Sequence, residues 1–167
     1  MKITDIECYP VWGGSRNYFF VVVDTDEGIW GIGEAGLTGR ELAVQGVIEH
    51  FKTFLVGQDP FRIEHLWQMM SRGGFFPAQN IATSAIAAID IALWDIKGKA
   101  LNVPVYELLG GLCRDKVVCY PHIQRPSIEE LVENAQKHVA EGWKFVRWGL
   151  AEFGNRSEDH TSELQSR

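Results

Sequence analysis

Two aspartates sit in the apolar run IAAIDIALWDIKGK, residues 86–99. A buried carboxylate is costly unless it is paired, so Asp90 and Asp95 either serve a reactive site or fasten something. Five residues apart on a helix, they lie roughly 140° apart and cannot chelate one ion as a pair. Asp95 has Lys99 at i+4, an ordinary ion-pair spacing. Asp90 shares its face with Ile86 and Trp94 and is expected to accept bonds from backbone amides or from an arginine on a neighbouring segment. Both therefore read as structural. No serine, histidine or cysteine arrangement suggests a nucleophile, and G-x-S-x-G is absent from the sequence. No His/Cys/Asp cluster has metal-ligand spacing. GIGEAG, residues 31–36, matches G-x-G-x-x-G. A dinucleotide site needs that turn to open directly into a helix. Here the flank is a hairpin, and Glu34 would face the pyrophosphate. These glycines read as allowing close strand packing and turns. The remaining candidates are His122 and Arg147, each at the C-terminal end of a short apolar segment. The plain alternative for both is a polar strand end meeting water.

The elements that position these residues follow from periodicity. KITDIECYPVW alternates with one slip in phase, YFFVVVDT is β-branched and aromatic, and the turn DTDEG leads into IWGIGEA. Together they predict an antiparallel meander. Thr38 and Glu41 have capping-box spacing, with Thr38 as N-cap. Val44, Val47, Ile48, Phe51 and Leu55 follow at helical spacing up to Gly57. Asp59-Pro60 predicts another helix start, with Ile63, Leu66, Trp67 and Met70 as its apolar stripe. A third helix is expected from about Thr83 to Leu101, and a short one over Pro104–Leu109. Beyond Lys116, VVCYPHI reads as a strand. Ser127 and Glu130 form a second capping box, and Leu131, Val132, Ala135 and Val139 continue as a helix to Gly142. KFVRWGL reads as a second strand, which completes a βαβ unit with parallel pairing. In (β/α)₈ barrels the C-terminal strand ends face the active site, which is where His122 and Arg147 fall.

The bulk numbers narrow the class. The chain has 167 residues, 46% hydrophobic and 23% charged, with a formal net charge of −6. That is a folded composition without a basic block, which argues against nucleic acid or an anionic membrane as main partner. No apolar run approaches the roughly 20 residues of a membrane span. MKITDIECYPVW has acids where a signal peptide needs an apolar core. Cys8, Cys113 and Cys119 are an odd number without metal spacing, fit a cytoplasmic setting, and are expected to pack as small hydrophobes. From Arg156 the sequence is polar and aperiodic. RSEDHTSELQS differs by one residue, Asp159, from a reading frame of a common short-read sequencing adapter. Residues 156–167 are therefore expected to be non-native, and His160 is set aside as a ligand.

SAIAAIDIALWDIKGKALNVPVYELLGG strongly resembles the signature helix of the mandelate racemase / muconate lactonizing enzyme branch of the enolase superfamily. GIGEAGLTGRELAV resembles the end of that branch's capping-domain sheet and its first helix. TGRELAV, the CYPH strand and FVRWG look most like the mannonate- and galactonate-type acid-sugar dehydratases. The resemblance implies an α+β capping domain over residues 1–115 and the start of a (β/α)₇β barrel over 116–155. It also implies Mg²⁺ held by three carboxylates on later barrel strands, proton abstraction α to a carboxylate, an enediolate, and loss of a β-hydroxide. The expected partner is a small sugar acid, and the family implies a homo-oligomer. No metal ligand is expected in this chain, and no Mg²⁺ is expected to bind to it.

Site residues carry over by position. Thr38 falls where the subgroup often has an asparagine that touches substrate. His122 matches a histidine that hydrogen-bonds substrate. Arg147 stands where many relatives carry a Lys-x-Lys base, so a lysine base is absent. Mannonate-type relatives have an arginine there, paired with a tyrosine further on as base. An arginine stays charged and is a poor base, so Arg147 is expected to orient or tune. WGGSRNYF, residues 12–19, resembles the mobile loop that closes over substrate. That implies sugar contacts or packing for Trp12, Arg16 and Tyr18. The expected parent is an acid-sugar dehydratase, and this chain an inactive N-terminal piece of it. A racemase, epimerase or cycloisomerase on the same scaffold, a non-catalytic binding module, and an unstable fragment are the rivals.

Overall fold

The computed structural model describes residues 1–123 and 127–148. Contacts divide the chain into two units, Met1–Leu112 and a second beginning at Cys113.

The first unit opens with the expected meander. β1 (Ile3–Trp12), β2 (Asn17–Thr25) and β3 (Trp30–Ala35) pair antiparallel in the order β1-β2-β3. The slip in the β1 pattern is a register shift between Ile3 and Asp5. The extra residue lets Ile3 and Ile6, three apart, both face inward. β2 alternates cleanly and buries Phe19, Val21, Val23 and Thr25. β3 buries Gly31, Gly33 and Ala35 on the same face. Two helices, α1 (Glu41–Leu55) and α3 (Ile81–Leu101), pack on the sheet, while α2 (Ile63–Arg72) packs against α3, with a short α4 (Val105–Leu108) after them. Val44, Ile48, Phe51 and Leu55 of α1 and Ile63, Leu66 and Met70 of α2 are buried as the spacing predicts, whereas Val47 and Trp67 are half-buried.

α3 fills the centre. Ala85, Ile86, Ala88, Ile89, Ala92, Leu93 and Ile96 are all buried. Its alanine side runs close under β3. A methyl group on Gly31 or Gly33 would collide with the carbonyl oxygens of Ala92 and Ala88 respectively. The glycines of GIGEAG thus permit a strand and a helix to approach, rather than a phosphate.

Several helix starts differ from expectation. Thr38 does not cap α1. Gly39 takes a positive φ of 79° and the chain closes a turn from Arg40 N to Leu37 O, so the helix begins after Arg40. Asp59 caps a turn, accepting from Phe61 N at 2.9 Å, and α2 starts four residues later at Ile63. α3 begins at Ile81, two residues before the expected start.

The second unit is a small parallel βαβ: β4 (His122–Ile123), α5 (Ile128–Ala140) and β5 (Arg147–Trp148). Ser127 caps α5 as its spacing predicts, accepting from Glu130 N at 3.2 Å, and Gly142 closes it at a φ of 96°. The strands are two residues each, shorter than VVCYPHI and KFVRWGL suggest. Strand length depends on pairing partners, and β4 and β5 have each other. Cys113 and Cys119 are exposed here rather than packed. Cys8, on β1, is half-buried, and burial pushes its thiol up to about 11. Residues 149–167, including the adapter-like segment, lie outside the described residues.

Candidate functional site

The two aspartates of the signature helix are accounted for by geometry. Asp95 Oδ2 accepts from Lys99 Nζ at 2.7 Å and from the Ile32 amide at 3.0 Å. Lys99 in turn donates to the Trp30 carbonyl at 2.7 Å and stands 3.8 Å from the Trp30 ring centroid. β3 is an edge strand, and its unpaired backbone groups would otherwise be open to a further strand. An i,i+4 acid–base pair on α3 takes up one amide and one carbonyl of that edge. Asp95 therefore fastens the helix to the strand.

Asp90 behaves differently from expectation. The group that favours its charged form is the Trp94 side chain, one turn on, rather than an arginine or a backbone amide. Burial raises its carboxyl above the usual range, the Glu64 charge raises it further, and the Trp94 bond opposes both. A folded-state pKa above the unfolded value means that the stability contribution is fully present below the unfolded pKa and is lost as pH rises through the folded pKa. Ionised Asp90 therefore opposes folding at pH 7. Asp90→Asn, which keeps a carbonyl acceptor for Trp94, is expected to melt above the parent at pH 7, with the difference closing below about pH 3.8, the ordinary aspartate value. Paired thermal melts at pH 3 and pH 7 measure this; a variant that melts lower at both rules it out.

Trp12, Arg16 and Thr38 fall at one end of the sheet. Trp12 ends β1, is 66% exposed and pairs in register with Asn17. Arg16 lies in the β1–β2 hairpin, with its guanidinium 4.8 Å from the Tyr18 ring centroid. The hairpin closes through Gly13 N donating to Arg16 O at 2.8 Å. Thr38 is exposed in the β3–α1 connection. Two residues join these loops: Glu41, read in the sequence only as the capping partner of Thr38, and Asn17, which the sequence reading missed. Glu41 accepts from the Gly39 amide at 2.9 Å and from the Asn17 side chain. The amides of Gly39 and of Glu41 itself, then Asn17, hold its carboxyl below the usual carboxylate range. A carboxylate at a helix N-terminus was a readable signal; its partner in the hairpin was not.

His122 and Arg147 form the second candidate cluster. They are direct register partners in the parallel pair. His122 is exposed while its neighbour Ile123 is 2% exposed, so β4 buries one face and presents the other. Arg147 donates through Nη1 to Tyr120 Oη at 3.3 Å. Tyr120 and His122 stack, with centroids 5.7 Å apart and planes at 25°. Val118, Tyr120, Phe145, Val146 and Arg147 line a hollow beside the pair. Tyr120 was also missed, although it stands two residues before His122 in the stretch VVCYPHI that reads as a strand. Among the described residues no group of three or more His, Cys, Asp or Glu could hold a metal ion. The described residues therefore do not fit a Mg²⁺ site. No described helix is long and apolar enough to cross a membrane.

An antiparallel three-stranded sheet followed by helices is the capping-domain architecture of enolase-type proteins. The chain belongs to the mandelate racemase / muconate lactonizing enzyme family, whose N-terminal domain matches residues 13–110. It is 46% identical over 155 residues to a D-galactonate dehydratase of Pectobacterium atrosepticum, which covers 92% of this chain and 40% of that protein. It is 41% identical over 148 residues to a D-mannonate dehydratase of Caulobacter vibrioides, which covers 88% of this chain and 36% of that protein. Among solved structures, an enolase from Pantoea ananatis with bound D-gluconate and Mg aligns with a TM-score of 0.82 at 38% identity, over 88% of this chain and 36% of that one. An enolase from Agrobacterium radiobacter with bound Na and L-malate aligns with a TM-score of 0.78 at 33% identity, over 89% and 38%. The chain thus spans roughly two-fifths or less of these relatives.

Proposed function

We propose that this chain is the capping domain and opening βαβ unit of a Mg²⁺-dependent acid-sugar dehydratase, and that the 167 residues alone do not turn over substrate. The observation that carries the reading is the pairing of His122 with Arg147 across a parallel strand pair, in a chain more than 40% identical to D-galactonate and D-mannonate dehydratases. The reaction would remove the proton α to the carboxylate and expel the β-hydroxide, giving an α-keto acid. The described residues offer Mg²⁺ no site. What these residues can do is bind and orient. Arg147 stays charged and cannot take the α-proton, but it can fix an anionic or hydroxyl oxygen. His122 can exchange a hydrogen bond with a sugar hydroxyl. Trp12, Arg16 and Thr38 at the end of the cap sheet are proposed sugar contacts on the same grounds of polarity and exposure. The absence of a lysine base at Arg147 counts against the racemase reading. The parent is proposed to be a cytoplasmic homo-oligomer.

Incubation with D-mannonate, D-gluconate or D-galactonate and Mg²⁺ is expected to yield no α-keto acid. Measurable turnover overturns the claim that this chain is inactive. D-gluconate is expected to move the side-chain resonances of His122 and Arg147 in a titration followed by NMR. Shifts confined to other residues overturn the assignment of the site.

A further inference from the structure

Three polar side chains share one face of the βαβ unit. His122 and Arg147 are register partners, and Tyr120 precedes His122 by two residues. The phenol touches both of the others. Its hydroxyl accepts from Arg147 Nη1 at 3.3 Å, and its ring lies 5.7 Å from the His122 ring, nearly parallel. The backbone at this corner has its own bond, from Arg147 N to Pro121 O at 3.0 Å. The strand pair therefore does not depend on the phenol. Nor does Tyr120 serve to fill a core, because 45% of its surface is exposed. An arginine head on a long, freely rotating stem must lose that freedom before it can hold a ligand, and a donor already fixed in place binds better.

We propose that Tyr120 is a positioning residue: its hydroxyl holds the Arg147 guanidinium and its ring holds the His122 imidazole, so that both present themselves together to one hydroxy acid. This rests on the reading that His122 and Arg147 face a sugar acid, and it names the residue that prearranges them. Tyr120 acts through its two neighbours.

Two variants separate its hydroxyl from its ring. Tyr120→Phe removes only Oη; Tyr120→Leu removes the stacking surface as well. In the 167-residue chain, ¹⁵N relaxation of the Arg147 side chain and the ring shifts of His122 are the readouts, with D-gluconate as the added probe. In Y120F the Arg147 Nε order is expected to fall while the His122 ring shifts hold. In Y120L both are expected to change. The loss of one hydrogen bond predicts gluconate binding about fivefold weaker in Y120F. Backbone amides of β4, α5 and β5 should stay in place in Y120F, which a purely structural hydroxyl would not allow. An Arg147 side chain as ordered in Y120F as in the parent overturns the proposal, and so does loss of the β4–β5 amide pattern in that variant. If gluconate moves neither His122 nor Arg147 in the parent, the sugar-acid reading falls, while the relaxation result still decides the role of Tyr120.

Discussion

Gly33→Ala is expected to lower the melting temperature of the Met1–Leu112 unit by more than about 10 °C, for a stability loss of about 3 kcal/mol. The new methyl would meet the Ala88 carbonyl oxygen and stand 2.8 Å from its carbonyl carbon and 3.2 Å from its Cα. All three are backbone atoms of a buried helix, so no side chain can swing aside. Relief requires α3 to move away from β3. That would open the layer that buries Ile89, Leu93 and Ile96, and loosen the bonds from α3 to Ile32 and Trp30. Gly36→Ala is the control. Nothing lies within 4 Å of its added carbon, so a change within about 0.5 kcal/mol is expected there. Thermal or urea unfolding of both variants decides the matter; a Gly33→Ala chain as stable as Gly36→Ala refutes the close-approach reading.

Leu93→Ala should cost about 3 kcal/mol by the same measurement, since truncating a fully buried leucine loses transfer energy and leaves a cavity. Leu93 is 0% exposed at the middle of the helix on which both β3 and the other helices pack. Ile91, two residues earlier, is 49% exposed. Ile91→Ala is expected to cost less than half as much. Equal costs at the two positions would mean that α3 is not seated as described.

Much of this architecture was readable from local pattern. The meander followed from β-branched alternation and the DTDEG turn, because strand period and turn chemistry are properties of adjacent residues. The apolar stripes of α1 and α2 and the run of α3 followed from 3.6-residue spacing. The Ser127 cap followed for the same reason, since it acts over three residues. The helix starts at Thr38 and Asp59 were misplaced by two to four residues. In each case a turn intervened, set by the positive φ of Gly39 or by the Asp59 side chain bonding Phe61. Such turns compete with helix caps for the same residue types. The candidate site was legible only in part. His122 and Arg147 were marked as C-terminal strand ends, yet each is the first residue of its described two-residue strand, and what joins them is their register pairing; Tyr120 needed the period-2 rule applied backwards from His122.

Sequence by itself determined the element types and their order, because these rest on short-range spacing, and the stretch IAAIDIALWDIKGK carried the resemblance to the family. It also determined that Asp90 and Asp95 cannot act as a chelating pair, since helix geometry puts them on different sides. Tertiary structure decided what each acid bonds. Asp95 finds an amide 63 residues away on an edge strand, while Asp90 meets the Glu64 charge from α2 and the indole one turn along its own helix. The same holds for the close contact that makes Gly31 and Gly33 necessary, and for Arg147 meeting Tyr120 across 27 residues. Each of these contacts forms only once the chain has closed a long loop, and residue spacing carries no record of which loops close.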